Sequence, residues 1–230
     1  MQIYLIRHGQ AGSRDNYDLL SETGKTQARL LGEYFHSAGI RFQAVYAGAM
    51  RRQQETAALV LGEMKDAPPA QIDPRWNEFS LEGLWEKLAP RLMGSNPEFA
   101  RNYELLHAAN PRIDRVMTVC DVELIRAWIA NHHECEDVEP WPGFRQRVEA
   151  PRPDLARYGP GESIAVFTSA TPTAIWCGAA LGVEDRKIFQ IAGVLYNSSF
   201  STIRLRDGAM TLFSLNNTPH LLDEALRTFR

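Results

Sequence analysis

Ile3-Tyr4-Leu5-Ile6-Arg7-His8-Gly9 opens the chain and decides how the rest is read. Four apolar residues in succession read as a short strand buried on both faces, which is how strands of a parallel sheet look in sequence. The run ends at once in Arg7-His8-Gly9. An arginine beside a histidine is a poor pair for a core, because two potential cations would lose their water. The end of a parallel strand is where open α/β sheets bind ligands. Taken alone, the three residues are equally open to a plainer reading as a surface turn broken by glycine.

The segments that follow alternate in type. Ser21 is placed to cap a helix whose Ala28, Leu31 and Phe35 recur at helical spacing and which stops before Gly39. Phe42 to Tyr46 reads as a second strand and Arg51 to Leu61 as a second helix. Ile164 to Thr168 reads as a third strand. Thr171 then caps a helix with Pro172 in its first turn, running to about Leu181 before Gly182. Ser199 to Leu205 and Ala209 to Leu215, joined by Asp207-Gly208, read as a hairpin. The expected architecture is a three-layer α/β sandwich: a mostly parallel sheet with an antiparallel edge and helices on both faces.

Between Pro74 and Pro160 the pattern turns helical, with no clear strand. Asn96-Pro97-Glu98 opens one helix, with a cap, a first-turn proline and an acid matched to the dipole. Asp121 to Ala130 makes another. Pro151 and Pro153 break the pattern before Tyr158. The expectation is one domain over residues 1–230 with a helical lid inserted at about 75–160, roofing a site at the strand ends.

The 230 residues carry 44% hydrophobic and 23% charged side chains, ordinary values for a chain with a proper core. A formal net charge of -3 gives no global pull toward nucleic acid or an anionic membrane, so neither is expected as a partner. An anionic substrate would need a local cluster of cations. Cys120, Cys135 and Cys177 are too scattered for a disulfide framework, which favours a reducing compartment. No apolar run has the length of a membrane span, and Met1 to Ile6 lacks the features of a signal peptide. A soluble, cytoplasmic protein is expected.

Two further stretches bear on Arg7-His8-Gly9. Leu20-Ser21-Glu22-Thr23-Gly24-Lys25-Thr26-Gln27-Ala28 opens the first helix. Tyr46-Ala47-Gly48-Ala49-Met50-Arg51-Arg52-Gln53-Gln54-Glu55-Thr56-Ala57 puts an arginine pair at a strand-to-helix turn. This order resembles the histidine phosphatase superfamily, the phosphoglycerate-mutase-like proteins. That family has Arg-His-Gly after its first strand, a Leu-Ser/Thr-x-x-Gly-x-x-Gln-Ala helix start, and an arginine four residues before Thr-Ala, here Arg52. The closing Leu215-Asn216-Asn217-Thr218-Pro219-His220-Leu221 is similar to the tail of its smaller phosphatase members.

The resemblance implies hydrolysis of phosphoric monoesters through a phosphohistidine on His8. Arg7 and Arg52 would bind phosphate with planar forks suited to its oxygens. Gly9 would let the backbone approach the anion. Arg51 reads instead as part of a solvated helix face. The leaving group needs a proton. Within Asn77-Glu78-Phe79-Ser80-Leu81-Glu82-Gly83, Glu78 matches the place of the family's acid, with Glu82 second. The family's late Ser/Thr-His-Gly-Gly is here Thr168-Ser169-Ala170-Thr171, so Ser169 stands where a second histidine is expected. Ser169 and Ala170, at a helix N-terminus, are candidate phosphate contacts.

His132-His133-Glu134-Cys135 lacks a matching second half for a metal site, and no metal or organic cofactor is implied. Glu134, Glu136, Asp137 and Glu139 read as a solvated loop, His36 and His107 as ordinary helix residues, and the tryptophans as packing. His220 either makes an ordinary hydrogen bond or approaches the pocket. The expected ligand is a phosphorylated small molecule or phosphoprotein; a homodimer is an open option. A phospho-ligand or protein-binding module without turnover is the alternative, favoured by Ser169. A mutase-type phosphotransferase is third.

Overall fold

The computed structural model describes residues 1–12, 17–108, 113–130 and 138–229, the side chains at 107 and 113–118 excepted. In chain order the elements are β1 (Gln2–Arg7), α1 (Glu22–Ser37), β2 (Ala44–Ala47), α2 (Arg51–Gly62), β3 (Ala70–Ile72), α3 (Leu81–Lys87), α4 (Ala89–Ser95), α5 (Pro97–His107), α6 (Ile113–Ile129), α7 (Trp141–Glu149), α8 (Arg152–Leu155), β4 (Ser163–Thr168), α9 (Ala170–Leu181), α10 (Asp185–Val194), β5 (Phe200–Arg206) and β6 (Ala209–Asn217). They form two compact units, Met1–Glu78 with Arg147–Arg230, and Phe79–Gln146.

The first unit holds a six-stranded sheet of order β3-β2-β4-β1-β5-β6. The first four strands run parallel, and β5 and β6 add the antiparallel edge. Side chains alternate across each strand, so Tyr4, Ile6, Val45, Ala47, Ala165 and Phe167 meet Leu31 and Phe35 of α1 and Val60 of α2 in one core. Phe42 closes it edge-on against Phe35, with ring centroids 5.5 Å apart. On the other face, α9 packs over β1, β5 and β6. Its Ala174, Ile175, Trp176 and Cys177 are all buried, because α10 covers its outer side. The fold is the α/β sandwich expected, with helices on both faces.

Local signals act as their chemistry requires. The Ser21 hydroxyl accepts from Gly24 N at 3.0 Å and caps α1, a contact of about 1 kcal/mol. Asp207 and Gly208 both take left-handed φ, 51° and 77°, as a two-residue hairpin turn demands. Asn96 caps α5 through its side-chain oxygen.

Several boundaries differ from expectation. The cap of α9 is Ser169, not Thr171: helical backbone begins at Ala170, and Pro172 is tolerated because first-turn N–H groups have no intrahelical acceptor. β2 is Ala44–Ala47 rather than 42–46, with Phe42 packing before the strand. β3 and α10 are additional elements. β3 is a three-residue edge strand, and its half-exposed Ala-Gln-Ile gives no buried pattern to read.

The second unit is helical. Trp128 packs on Phe79, Trp141 and Phe144, and its indole N–H donates to Glu139 O at 2.9 Å. The expected insertion of about 75–160 is wider than this unit. Residues flanking it are tied to the sheet unit: Arg147 Nη1 donates to the carbonyls of Pro74, Arg75 and Asn77, and Trp176 Nε1 donates to Val148 O. Residues 132–137, including the His-His-Glu-Cys stretch, lie outside the described residues.

Candidate active site

β1 ends at Arg7, paired with Thr168 of β4 in parallel register. The backbone of His8 is then clamped from both sides. Its N–H donates to Thr168 O at 2.9 Å, and its carbonyl accepts from Ser198 N at 3.1 Å and Asn197 Nδ2 at 3.3 Å. Ser198 adopts φ 56° to make this contact. The next residue must be glycine for steric reasons. A Cβ on Gly9 would lie 2.4 Å from Gly24 O, so the two glycines bring the turn after β1 against the start of α1. The Gly9 N–H donates to Thr56 Oγ1 at 3.1 Å. Its glycine character therefore serves packing against α1, and its donor is already engaged.

His8 is buried and its tautomer is fixed. Nδ1 faces Gly9 O at 2.7 Å, and a carbonyl only accepts, so Nδ1 carries the proton. Nε2 is left with its lone pair, which accepts from Arg52 Nε at 3.2 Å. Burial, followed by the charges of Arg52 and Arg7, pushes the His8 pKa well below the ordinary 6.5, against a smaller opposing effect of the Gly9 bond. The ring is a neutral base with Nε2 toward Arg52.

Arg52, not Arg51, faces His8. Its Nη1 also pairs with Asp18 Oδ1 at 2.9 Å, and its guanidinium lies over the Tyr17 ring, 5.1 Å from the centroid. Arg51 is exposed; its backbone N–H donates to Asp18 Oδ2 at 3.1 Å. Arg7 is buried. Its Nη1 donates to Leu195 O and its Nη2 to Phe229 O at 2.8 Å, whereas its Nε has no hydrogen-bond partner among the described residues. Burial lowers the Arg7 pKa, while the nearby Tyr17 and Glu78 act to raise it.

At the end of β4, Ser169 is buried and its Oγ accepts from Gln53 Nε2 at 2.8 Å. Ala170 is the first residue of α9, and the N–H of Thr171 donates to Glu78 Oε2 at 3.0 Å. Glu78 thus stands at the helix N-terminus, close enough to influence Arg7. Glu82, the second choice of acid, is exposed in the first turn of α3 in the other unit. Among the described residues no hydrogen bond joins His220 to the His8 ring. The His220 Nε2 meets Ser198 Oγ at 2.8 Å, its Nδ1 has no partner among the described residues, and burial lowers its pKa to about 4. Its link to His8 runs through the backbone of Ser198.

Arg7, His8, Arg52, Ser169 and Glu78 are thus assembled within the sheet unit, from the ends of β1 and β4, the first turn of α2 and the N-terminus of α9. Asp18, Gln53, Asn197 and Ser198 carry no sequence signal, because polar residues at turns and helix starts are ordinary there. A Cβ at Gly48 would lie 2.0 Å from Gln53 Oε1, so glycine there leaves room for that side chain.

Comparison with known proteins places this fold among relatives. The alpha-ribazole phosphatase of Shigella flexneri shares the fold, with a TM-score of 0.62 at 21% identity over 95% of this chain and 97% of that one. The mitochondrial serine/threonine-protein phosphatase Pgam5 of Drosophila willistoni is 42% identical over 65 residues, 27% of this chain and 22% of the relative. Its Caenorhabditis elegans counterpart is 27% identical over 137 residues, 55% of this chain and 48% of the relative. The chain therefore spans less than half the length of these relatives. A family model matches residues 3–123, the stretch that supplies His8, both arginines and Glu78, and on that match the chain belongs to the histidine phosphatase superfamily, branch 1.

Proposed function

We propose that this chain hydrolyses phosphoric monoesters through a phosphohistidine on His8. The carrying observation is the His8 tautomer: Nδ1–H is held by Gly9 O, so Nε2 presents a lone pair beside Arg52 Nε, with the charge of Arg7 also acting on the ring. An anion entering there would meet two guanidinium groups in a shielded space, where such donors act most strongly.

In this reading Nε2 attacks phosphorus in line. The N–P bond forms as the bond to the leaving oxygen breaks, and that oxygen takes a proton from the Glu78 carboxyl. Water then attacks the phosphoryl group and gives its proton to Glu78. The P–N bond breaks, His8 regains its lone pair, and inorganic phosphate leaves. Arg7, Arg52, the Ser169 hydroxyl and the Ala170 N–H contact the phosphoryl oxygens. The substrate is a phosphorylated small molecule or a phosphoprotein; the name of the Pgam5 relatives makes the second worth assaying. A cytoplasmic setting fits the buried free thiols of Cys120 and Cys177, while the Pgam5 relatives are named mitochondrial. Among the described residues no helix is long and apolar enough to cross a membrane.

The test is turnover of p-nitrophenyl phosphate by the wild-type chain and its loss in His8→Ala at unchanged Tm. The second reading, a binding module, has one observation in its favour: Ser169 supplies a neutral hydroxyl where the family's second histidine is expected. Phosphate binding without turnover would select it. Turnover that requires added 2,3-bisphosphoglycerate would select a mutase.

A further inference from the structure

We propose that Gln53 is a positioning residue of this site: its amide fixes the Ser169 hydroxyl as a hydrogen-bond donor to the transferring phosphoryl group. The proposal rests on the reading of His8 as nucleophile and adds to it a residue that acts through another.

The polarity of the contact follows from its neighbours. Gln53 is wholly buried, and the end of its side chain that faces Trp76 O at 3.3 Å must be the NH2 group, since a carbonyl only accepts. That same Nε2 lies 2.8 Å from Ser169 Oγ. Gln53 Oε1 points the other way, 3.4 Å from Met50 N at the start of α2. Ser169 Oγ is therefore an acceptor in this pair, and its single proton must go elsewhere. The Ser169 carbonyl accepts from Thr173 N and Oγ1, and no described residue accepts the Ser169 hydroxyl proton.

The place of that proton is set by the strands. Thr168 pairs with Arg7 across β4 and β1, and its carbonyl takes the His8 N–H, so Ser169 and His8 are the next residues on adjoining strand ends. Thr168 Oγ1 donates to Trp76 O at 2.6 Å, which anchors the carbonyl that orients the amide. The first turn of α2 thus serves the site twice, with Arg52 on His8 and Gln53 on Ser169. A buried amide is costly unless fully paired, and a hydrophobic side chain would pack the same space without that cost. Keeping an amide there gives the hydroxyl one orientation, the preorganisation that electrostatic stabilisation of a transition state needs.

A double-mutant cycle on p-nitrophenyl phosphate tests this, with kcat, KM and Tm read for each protein. Ser169→Ala should lower kcat about a hundredfold, the usual effect of losing one preorganised donor, with KM changed by less than about twofold. Gln53→Met keeps the length of the side chain, removes the donor, and should give most of the same loss in kcat. The double variant should be no slower than Ser169→Ala alone, because Gln53 acts only through that hydroxyl. Unchanged kcat in Gln53→Met, a loss confined to KM, or losses that multiply in the double variant would overturn the proposal. If Gln53→Met does not fold, Gln53→Glu is read instead: a carboxylate only accepts, turns the Ser169 O–H toward itself, and must lower kcat at least as far as Ser169→Ala does. Multiplying losses in an enzyme that still forms phosphohistidine would remove the proposal alone. A wild-type chain that forms none would remove the reading beneath it.

Discussion

Arg52 Nε donates to His8 Nε2 at 3.2 Å while the same guanidinium is held by Asp18 through Nη1 at 2.9 Å. His8 and Arg52 are therefore in direct contact, with the arginine oriented from the far side. A guanidinium can make both contacts because its donors form a rigid planar fork. A lysine ammonium is a point charge on a flexible stem and cannot reproduce them together.

Arg52→Lys should consequently lower kcat/KM about a hundredfold despite the retained charge. Tm should move little, since the Asp18 end of the pair is half exposed and such ends contribute little to stability. Steady-state kinetics beside a thermal melt checks this. A lysine variant with full activity would show that charge alone suffices.

Gly9→Ala should cost about 2–3 kcal/mol as an overpacked contact, since its Cβ would meet the Gly24 carbonyl 2.4 Å away, backbone against backbone. Gly62→Ala is the control. Nothing lies within 4 Å of that Cβ, its φ is ordinary, and it closes α2, so a gain of about 0.5–1 kcal/mol is expected. Urea denaturation of both variants reads the contrast, and equal effects would contradict it.

The buried histidines set the acid limb of stability. Burial lowers the His220 pKa from 6.5 to about 4, and His8 shifts in the same direction. Between these values the unfolded chain binds the proton that the folded chain refuses, so stability is complete above the unfolded pKa and falls as pH drops toward the folded one. From neutral pH to about pH 5, His220 alone should remove about 2 kcal/mol. His220→Asn should flatten that slope. An unchanged slope would mean that its protonation is not linked to unfolding.

Ser169→His should not raise activity by itself. The Ser169 Oγ already lies 2.8 Å from the Gln53 amide, and a ring built outward from the same position runs into that buried group. Shortening the neighbour as well, in Ser169→His with Gln53→Ala, should make room and raise kcat above that of either single variant. Comparison of the three proteins on p-nitrophenyl phosphate decides it.

The parts of this architecture legible in sequence are those written locally. Ile3 to Ile6 is continuous apolar sequence because β1 is buried on both faces, and Ser21 announces α1 because a cap acts within three residues. Arg7, His8 and Arg52 could be aligned because each sits at a fixed offset from a strand end or helix start. Ser169 and Thr171 are both acceptable caps in sequence, and only the backbone path chooses Ser169. β3 escaped because three half-exposed edge residues have no period. Gln53 escaped for a different reason: its role depends on Trp76 O and Ser169, 23 and 116 residues away, and no local pattern encodes such a meeting.

The most direct measurement is the covalent state of His8 during turnover. Wild-type protein mixed with p-nitrophenyl phosphate, quenched in alkali within the first turnovers and digested, should yield the His8 peptide carrying one phosphoryl group. The modification should be stable to base, labile to acid, and absent from His8→Ala. Steady hydrolysis with no phosphoryl group on His8, or turnover retained in a folded His8→Ala protein, would contradict the account.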